Sequence, residues 1–293
     1  MSKEIQFVFV LDTKPPPEKS TEREMRIQSR EKNKERINTL IDQWVAFKNL
    51  QTTKFEFEIG DLENDFSELY LFLKKKHEGS TITQQNVEKY LTKLQKNIIR
   101  ITSNDFDLLK KLFILMNVDY YYADSEAEGT CSLMNRKGLV DGVLTEDTDV
   151  MAYGTPVMYH NFSFKTGTVQ KLVLQDVLEN LSISFEQLRD FCILCGTDYN
   201  SNLEKIGPVR SMDLIKKHES LEKIGEIVDV SSINYVRIRE LFNSEQFELK
   251  IDCLRGSNEI KINSKELQDF CFYNNIFIIK DKKDLFFSSE NFF

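Results

Sequence analysis

The 293-residue sequence has little of several things, and each scarcity excludes something. Proline and glycine number only 5 and 11, so the chain is neither low-complexity nor collagen-like. No apolar run approaches the ~18 residues of a membrane span, and Met1-Ser2-Lys3-Glu4 lacks the layout of a secretory leader. The five cysteines (Cys131, Cys192, Cys195, Cys253, Cys271) are too few to staple a chain of this length, which points to a reducing, intracellular setting. The three histidines, His77, His160 and His218, are scattered. Cys192-x-x-Cys195 therefore has no partners for a zinc site, and its apolar helical surroundings predict core packing. No phosphate-loop glycine pattern and no Gly-x-Ser-x-Gly elbow occurs.

Charge is what the sequence has in quantity: 39 Lys+Arg against 47 Asp+Glu, a net −8, beside 41% hydrophobic residues. That is a folded composition with enough length for a sizeable core. Net acidity taken alone argues against non-specific binding to nucleic acid. The local pattern alters that reading.

Ile5 to Leu11 is an apolar β-forming run that ends at Asp12, and Pro15 to Pro17 follow as a stiff exit. Glu18 to about Asn49 predicts a long helix starting near Ser20 or Thr21. Gln51 to Ser80 is less regular, and further helices are expected over Gln84 to about Thr102 and around Phe106 to Met116. Then comes an alternation: a strand over Asp119 to Ala123, a helix from Ser125, a strand over Val140 to Leu144, a short helix from Thr148 and a strand over Val157 to Phe162. Such alternation predicts an α/β fold with a mostly parallel sheet covered on both faces. Beyond Lys171 the chain reads as helical to about Phe242, with helices over Ser184 to Cys195 and Pro208 to His218. The aromatic tail from Asp284 to Phe293 reads as docked or frayed.

Carboxylates gather where these elements end: Asp12 after the first strand, Glu126 and Glu128 at a helix start, Asp147 and Asp149 past a later strand, and Asp198 after the helix ending at Cys195. Any one pair is as readily a helix cap. The set as a whole, at the carboxyl ends of strands and without a Cys/His complement, suits hard cations such as Mg²⁺ and phosphoryl chemistry. Bases outnumber acids between Lys14 and Arg36, and Lys19, Arg23, Arg26 and Arg30 recur at helical spacing on one face. That face is either solvated or a phosphate clamp.

Four of these segments, Val8-Phe9-Val10-Leu11-Asp12, Ala123-Asp124-Ser125-Glu126-Ala127-Glu128, Thr145-Glu146-Asp147-Thr148-Asp149 and Gly196-Thr197-Asp198-Tyr199, resemble in order the motifs of flap endonucleases of the XPG/Rad2 family. Ile206-Gly207-Pro208-Val209-Arg210 and Leu214 to His218 resemble that family's helix–two-turn–helix. The resemblance covers most of Phe7 to Ile224, apart from Asn38 to Thr92. It implies a PIN-like nuclease core over residues 1–183 with a helical arch at about 20–102, and a helix–two-turn–helix and helical region over 184–293. It implies a structure-specific 5′ flap endonuclease or 5′–3′ exonuclease of replication or repair, cutting DNA at a flap or single-strand/duplex junction. Asp12, Glu126, Glu128, Asp147, Asp149 and Asp198 would hold two Mg²⁺, with Mn²⁺ able to substitute. Lys19 and Arg26 would meet the reacting phosphate, with Arg30 on the same face. Ile206, Gly207, Arg210, Lys216 and Lys217 would bind duplex DNA, with a K⁺ ion at the turn. Six of the acids then belong to the metal site, so net acidity is no obstacle to DNA.

The resemblance also has departures. The family places one more metal-site Asp on an earlier strand, whereas Asp12 is the first Asp here, so the expectation is a chain lacking that strand and residue that alone folds poorly or cleaves slowly. The rival expectation is a catalytically impaired DNA-binding or scaffold relative. Val209 and Glu204 stand where the family carries bases, and Thr13 where it carries Gly. At the tail, Phe286, Ser289, Phe292 and Phe293 do not complete a sliding-clamp motif. The remaining expectations are a monomer without membrane association, intracellular, nuclear if the host is a eukaryotic cell, with a viral origin also compatible.

Overall fold

The computed structural model describes residues 5–50, 55–163, 165–201, 203–247, 249 and 264–276. Cys253 and the tail from Asp284 lie outside them. The chain divides into two compact units, Ser20–Phe106 and the remainder, Met1–Lys19 with Asp107–Phe293.

In the second of these units, β1 (Val8–Leu11) pairs in parallel with β4 (Asp119–Tyr122), Val8 opposite Asp119. The expected strand over Ile5 to Leu11 is thus shorter, because its pairing partner begins only at Asp119. Phe7 and Phe9 stay 45% and 43% exposed. β5 (Val143–Leu144) pairs in parallel with β6 (Val157–Ser163), the chain crossing over through α6 (Asp149–Ala152). β7 (Thr168–Val173) then returns antiparallel to β6. From the sequence, no strand is expected here and helix is expected beyond Lys171, so the last residues of β7 correct that reading. The hairpin is made by Gly167 at φ +67° and a register shift between His160 and Ser163.

Helices pack on these strands. α4 (Ser103–Leu115) and α5 (Ala127–Arg136) flank β4 in sequence, and α7 (Leu174–Leu181) leads into α8 (Phe185–Cys195). α8 opens on a complete capping box, Ser184 with Gln187. α9 (Pro208–His218) begins at the Pro that follows its N-cap Gly207. α10 (Leu221–Ile224) and α11 (Tyr235–Leu241) complete a core in which Ile193, Leu194, Ile206, Ile215, Leu221, Ile224, Ile238 and Phe242 are buried. Cys192 packs against this core, as expected, and burial pushes its thiol up to about 12. α12 (Ser264–Tyr273) closes the described chain.

The Ser20–Phe106 unit has a core of its own. α1 (Ser20–Leu50) buries Ile37, Leu40, Trp44 and Phe47 at spacings of three and four, while its first half is exposed and polar. Trp44, Phe47, Phe57 and Phe66 interlock as an aromatic cluster. Around it lie the antiparallel pair β2 (Glu56–Glu58) and β3 (Thr81–Thr83), with α2 (Ser67–Lys76) and α3 (Gln84–Lys96). α2 went unread in the sequence, although Phe66, Leu69 and Leu73 are spaced for one buried helix face. No helix among the described residues is long and apolar enough to cross a membrane.

Candidate functional site

The carboxyl ends of β1, β4 and β5 lead into five of the acids singled out above, and Asp198 follows α8. Asp12 follows β1 directly, and its Oδ1 accepts the backbone N–H of Ala127, the first residue of α5, at 2.7 Å. Asp147 caps α6 likewise, accepting the N–H of Asp149 at 2.9 Å. The capping role and the site role therefore coincide in these two residues. Glu126 is the N-cap residue of α5 and is buried, and Glu128 stands in its first turn.

Lys19 ends a 3-10 turn, Pro17–Lys19, and sends its ammonium between two of the acids, 2.6 Å from Glu126 and 2.8 Å from Asp198. Burial opposes its charge, but the hydrogen bonds to Asp198 and Glu126 outweigh that and hold the ammonium above its ordinary range. The second oxygen of Glu126 accepts from the Tyr199 hydroxyl, which itself shares a 2.9 Å hydrogen bond with Tyr153. This tyrosine pair was not singled out from sequence. Its only signal is that Tyr199 follows Asp198.

Burial, with Asp12, Asp147 and Glu126 adding repulsion against a backbone hydrogen bond, pushes Glu128 up to about 7. Burial together with Asp147 and Asp198 raises Asp149 to about 6, against the pull of Lys19. Among the described residues, no three Asp, Glu, His or Cys side chains converge on one ion-sized point as they stand. The donor set nevertheless fits a hard cation. It is all oxygen, and carboxylates whose repulsion raises their own proton affinity are stabilised by bound positive charge.

Gly129, one residue past Glu128, is required by packing. A Cβ there would lie 2.4 Å from the Phe247 ring and 3.1 Å from Tyr153. Gly129→Ala is expected to destabilise the chain by about 1–3 kcal/mol, read as a lower urea midpoint at unchanged slope.

The phosphate-facing candidates lie elsewhere. Arg26 and Arg30 are on the exposed half of α1, in the other compact unit, and Arg26 pairs with Glu22 one turn away. On α9, Arg210 and Lys217 are exposed and seven residues apart, so they share a helix face. Lys216, also exposed, is turned off it. Gly207 is the α9 N-cap, with open space around it. Ile206 needs correction as a DNA contact. Its side chain is 4% exposed and sits in the core, so only its backbone is left to serve.

Residues 117–198 match the XPG I-region. The chain is 28% identical to the "Probable RAD2-like endonuclease 369L" of Invertebrate iridescent virus 6, over 82% of this chain and 61% of that protein. It is 32% identical to "Flap endonuclease 1" of Nematostella vectensis, over 84% of this chain and 58% of that one. The structure resembles that of flap endonuclease-1 from Methanococcus jannaschii with a TM-score of 0.51 at 26% identity, covering 70% of this chain and 64% of that one. The chain thus spans less than two thirds of the length of each of these relatives.

Proposed function

Because the chain belongs to the XPG/Rad2 family of nucleases, we propose that it is a structure-specific 5′ nuclease that hydrolyses DNA phosphodiesters at a 5′ flap or a single-strand/duplex junction. The observation that carries the reading is that Asp12, Glu126, Glu128, Asp147, Asp149 and Asp198 lie within electrostatic reach of one another, five of them following parallel strands and Asp198 following α8, with the Lys19 ammonium between Glu126 and Asp198. These six would hold Mg²⁺, or Mn²⁺ in its place. When bound, the ions would stabilise charge on the attacking and leaving oxygens of the phosphodiester.

The chain's own residues supply the rest. Lys19 offers a permanent cation that neutralises part of the carboxylate field and can meet a phosphate oxygen. Arg26 and Arg30 offer guanidinium forks for strand phosphates from the exposed half of α1. Arg210, Lys216, Lys217 and the backbone amides opening α9 offer non-sequence-specific contacts to duplex backbone, with turn carbonyls near Ile206 as the place for K⁺.

The test is an end-labelled duplex with a 5′ flap, incubated with the chain and Mg²⁺. The expected result is a cut at the junction that leaves a 5′-phosphate and is suppressed by chelator. Chelator-resistant cutting, or cutting without regard to the junction, would refute the reading.

The proposed duplex grip would be weakened at one position. Val209 is 80% exposed in the first turn of α9, beside Arg210. Val209→Lys is expected to tighten duplex binding and to steepen the slope of log affinity on log salt by about 1. An unchanged slope would remove this turn from the interface.

A further inference from the structure

Two neighbouring residues of the turn before α1 anchor to different partners. Lys19 reaches Glu126 and Asp198. Glu18 accepts a 2.7 Å hydrogen bond from Arg237 Nε on α11, across 219 residues of sequence. The turn itself has few other holds. Three prolines lead into it without backbone donors, and its internal bond runs from Lys19 N–H to the Pro16 carbonyl, 3.1 Å.

Arg237, in contrast, is well fixed. Asn234 caps the helix that carries it, accepting from the Arg237 N–H, and the guanidinium also reaches Glu240 at 3.0 Å. Two residues on, Arg239 locks the same helix to Asp190 of α8 with a bidentate pair. One Glu18 oxygen, Oε2, is buried with no hydrogen-bond partner, and the carboxylate is held by Arg237 on Oε1 together with Glu18's own backbone N–H. Pro16, Arg237, Glu126 and Tyr199 line one cavity of about 290 Å³, so the turn and its Glu18–Arg237 tie, together a strap, lie beside the carboxylate site.

We propose that Arg237 is a positioning residue. By gripping Glu18 it fixes the turn, and thereby the place of the Lys19 ammonium between Glu126 and Asp198. The inference rests on the nuclease reading for its kinetic consequence, though not for its structural one. A charged side chain displaced by about 1 Å can cost up to 10²-fold in rate.

The experiment compares Arg237→Gln, Arg237→Lys and Glu18→Gln with the unaltered chain by two readouts. One is flap cleavage, with kcat and KM separated. The other is the rate at which an amine-acylating reagent modifies Lys19, followed by mass spectrometry against Lys205, whose side chain is 82% exposed. Arg237→Gln is expected to lower kcat about tenfold with KM within about twofold, and to speed Lys19 acylation relative to Lys205. Arg237→Lys should recover most of both, because it keeps the charge, and Glu18→Gln should reproduce Arg237→Gln. A helix that merely needs Arg237 for stability would lower Tm without the kcat-specific loss. If Arg237→Gln fails to fold, Glu18→Gln carries the same test. Cleavage by the unaltered chain, with neither kcat nor Lys19 labelling altered in the variants, overturns the proposal. Altered labelling in a chain that cuts no flap keeps the strap and removes the nuclease reading instead.

Discussion

Asp149→Asn should abolish Mg²⁺-dependent flap cleavage, by about 10³-fold or about 4 kcal/mol on the barrier, while flap binding stays within about twofold. The asymmetry follows from where Asp149 stands. It opens α6 with its backbone N–H already engaged by Asp147, and an amide of the same shape preserves that bond. What disappears is one negative charge from a crowded set, where burial with Asp147 and Asp198 lifts Asp149 to about 6. On the proposed reading a hard cation would be held by that charge, so its loss would remove catalysis. Folding gains from the same change, because like-charge repulsion falls. The expected signature is an inactive variant whose melting temperature is equal to or above that of the unaltered chain. Persistent cleavage by Asp149→Asn would show that the site has been misassigned.

Asp190→Ala is the largest expected effect on stability, a loss of about 3 kcal/mol. Asp190 is 3% exposed and accepts twice from Arg239 at 2.6 Å and once from the Leu221 N–H at 3.1 Å. It therefore ties α8 to α10 and α11 with a single carboxylate. Truncation leaves the Leu221 N–H without its acceptor and strips Arg239 of its buried partner. The cost stays near the low end for a broken buried pair because Arg239 keeps Glu222 and is partly exposed. Urea unfolding gives the number, and a change below about 1 kcal/mol would mean the network is mostly relaxed by solvent. Arg239→Ala should cost about as much, because it leaves the Asp190 carboxylate buried without its counter-charge although the Leu221 N–H keeps its acceptor.

Legibility from sequence followed how local each feature was. α9 is bounded as read, from Pro208 to His218, because Gly207-Pro208 marks its start through the backbone alone. The six candidate carboxylates stand out in the sequence because each lies close to an element boundary, which the structure keeps. β7 does not, since Thr168 to Val173 lacks turn punctuation strong enough to separate it from the helix that follows. Ile206 was assigned to DNA for its place in a motif, while its apolar side chain goes to the core. Glu18 and Arg237 carry no local signal whatever. Each reads as an ordinary surface charge until the fold brings them together, and long-range ion pairs of that kind leave no periodicity to find.

The long reach of these contacts also sets the order in which the chain can become competent. The Lys19–Glu126 pair spans 107 residues and the Glu18–Arg237 pair 219. Contacts of such separation form late, after the entropy of closing the loop has been met by nearer ones. The Ser20–Phe106 core, by contrast, involves only its own stretch. During synthesis that insertion can therefore condense early, while the strap to α11 waits for residue 237 to leave the ribosome. A nascent chain would then carry every acid of the candidate site yet hold its lysine loosely until α11 has been made and docked.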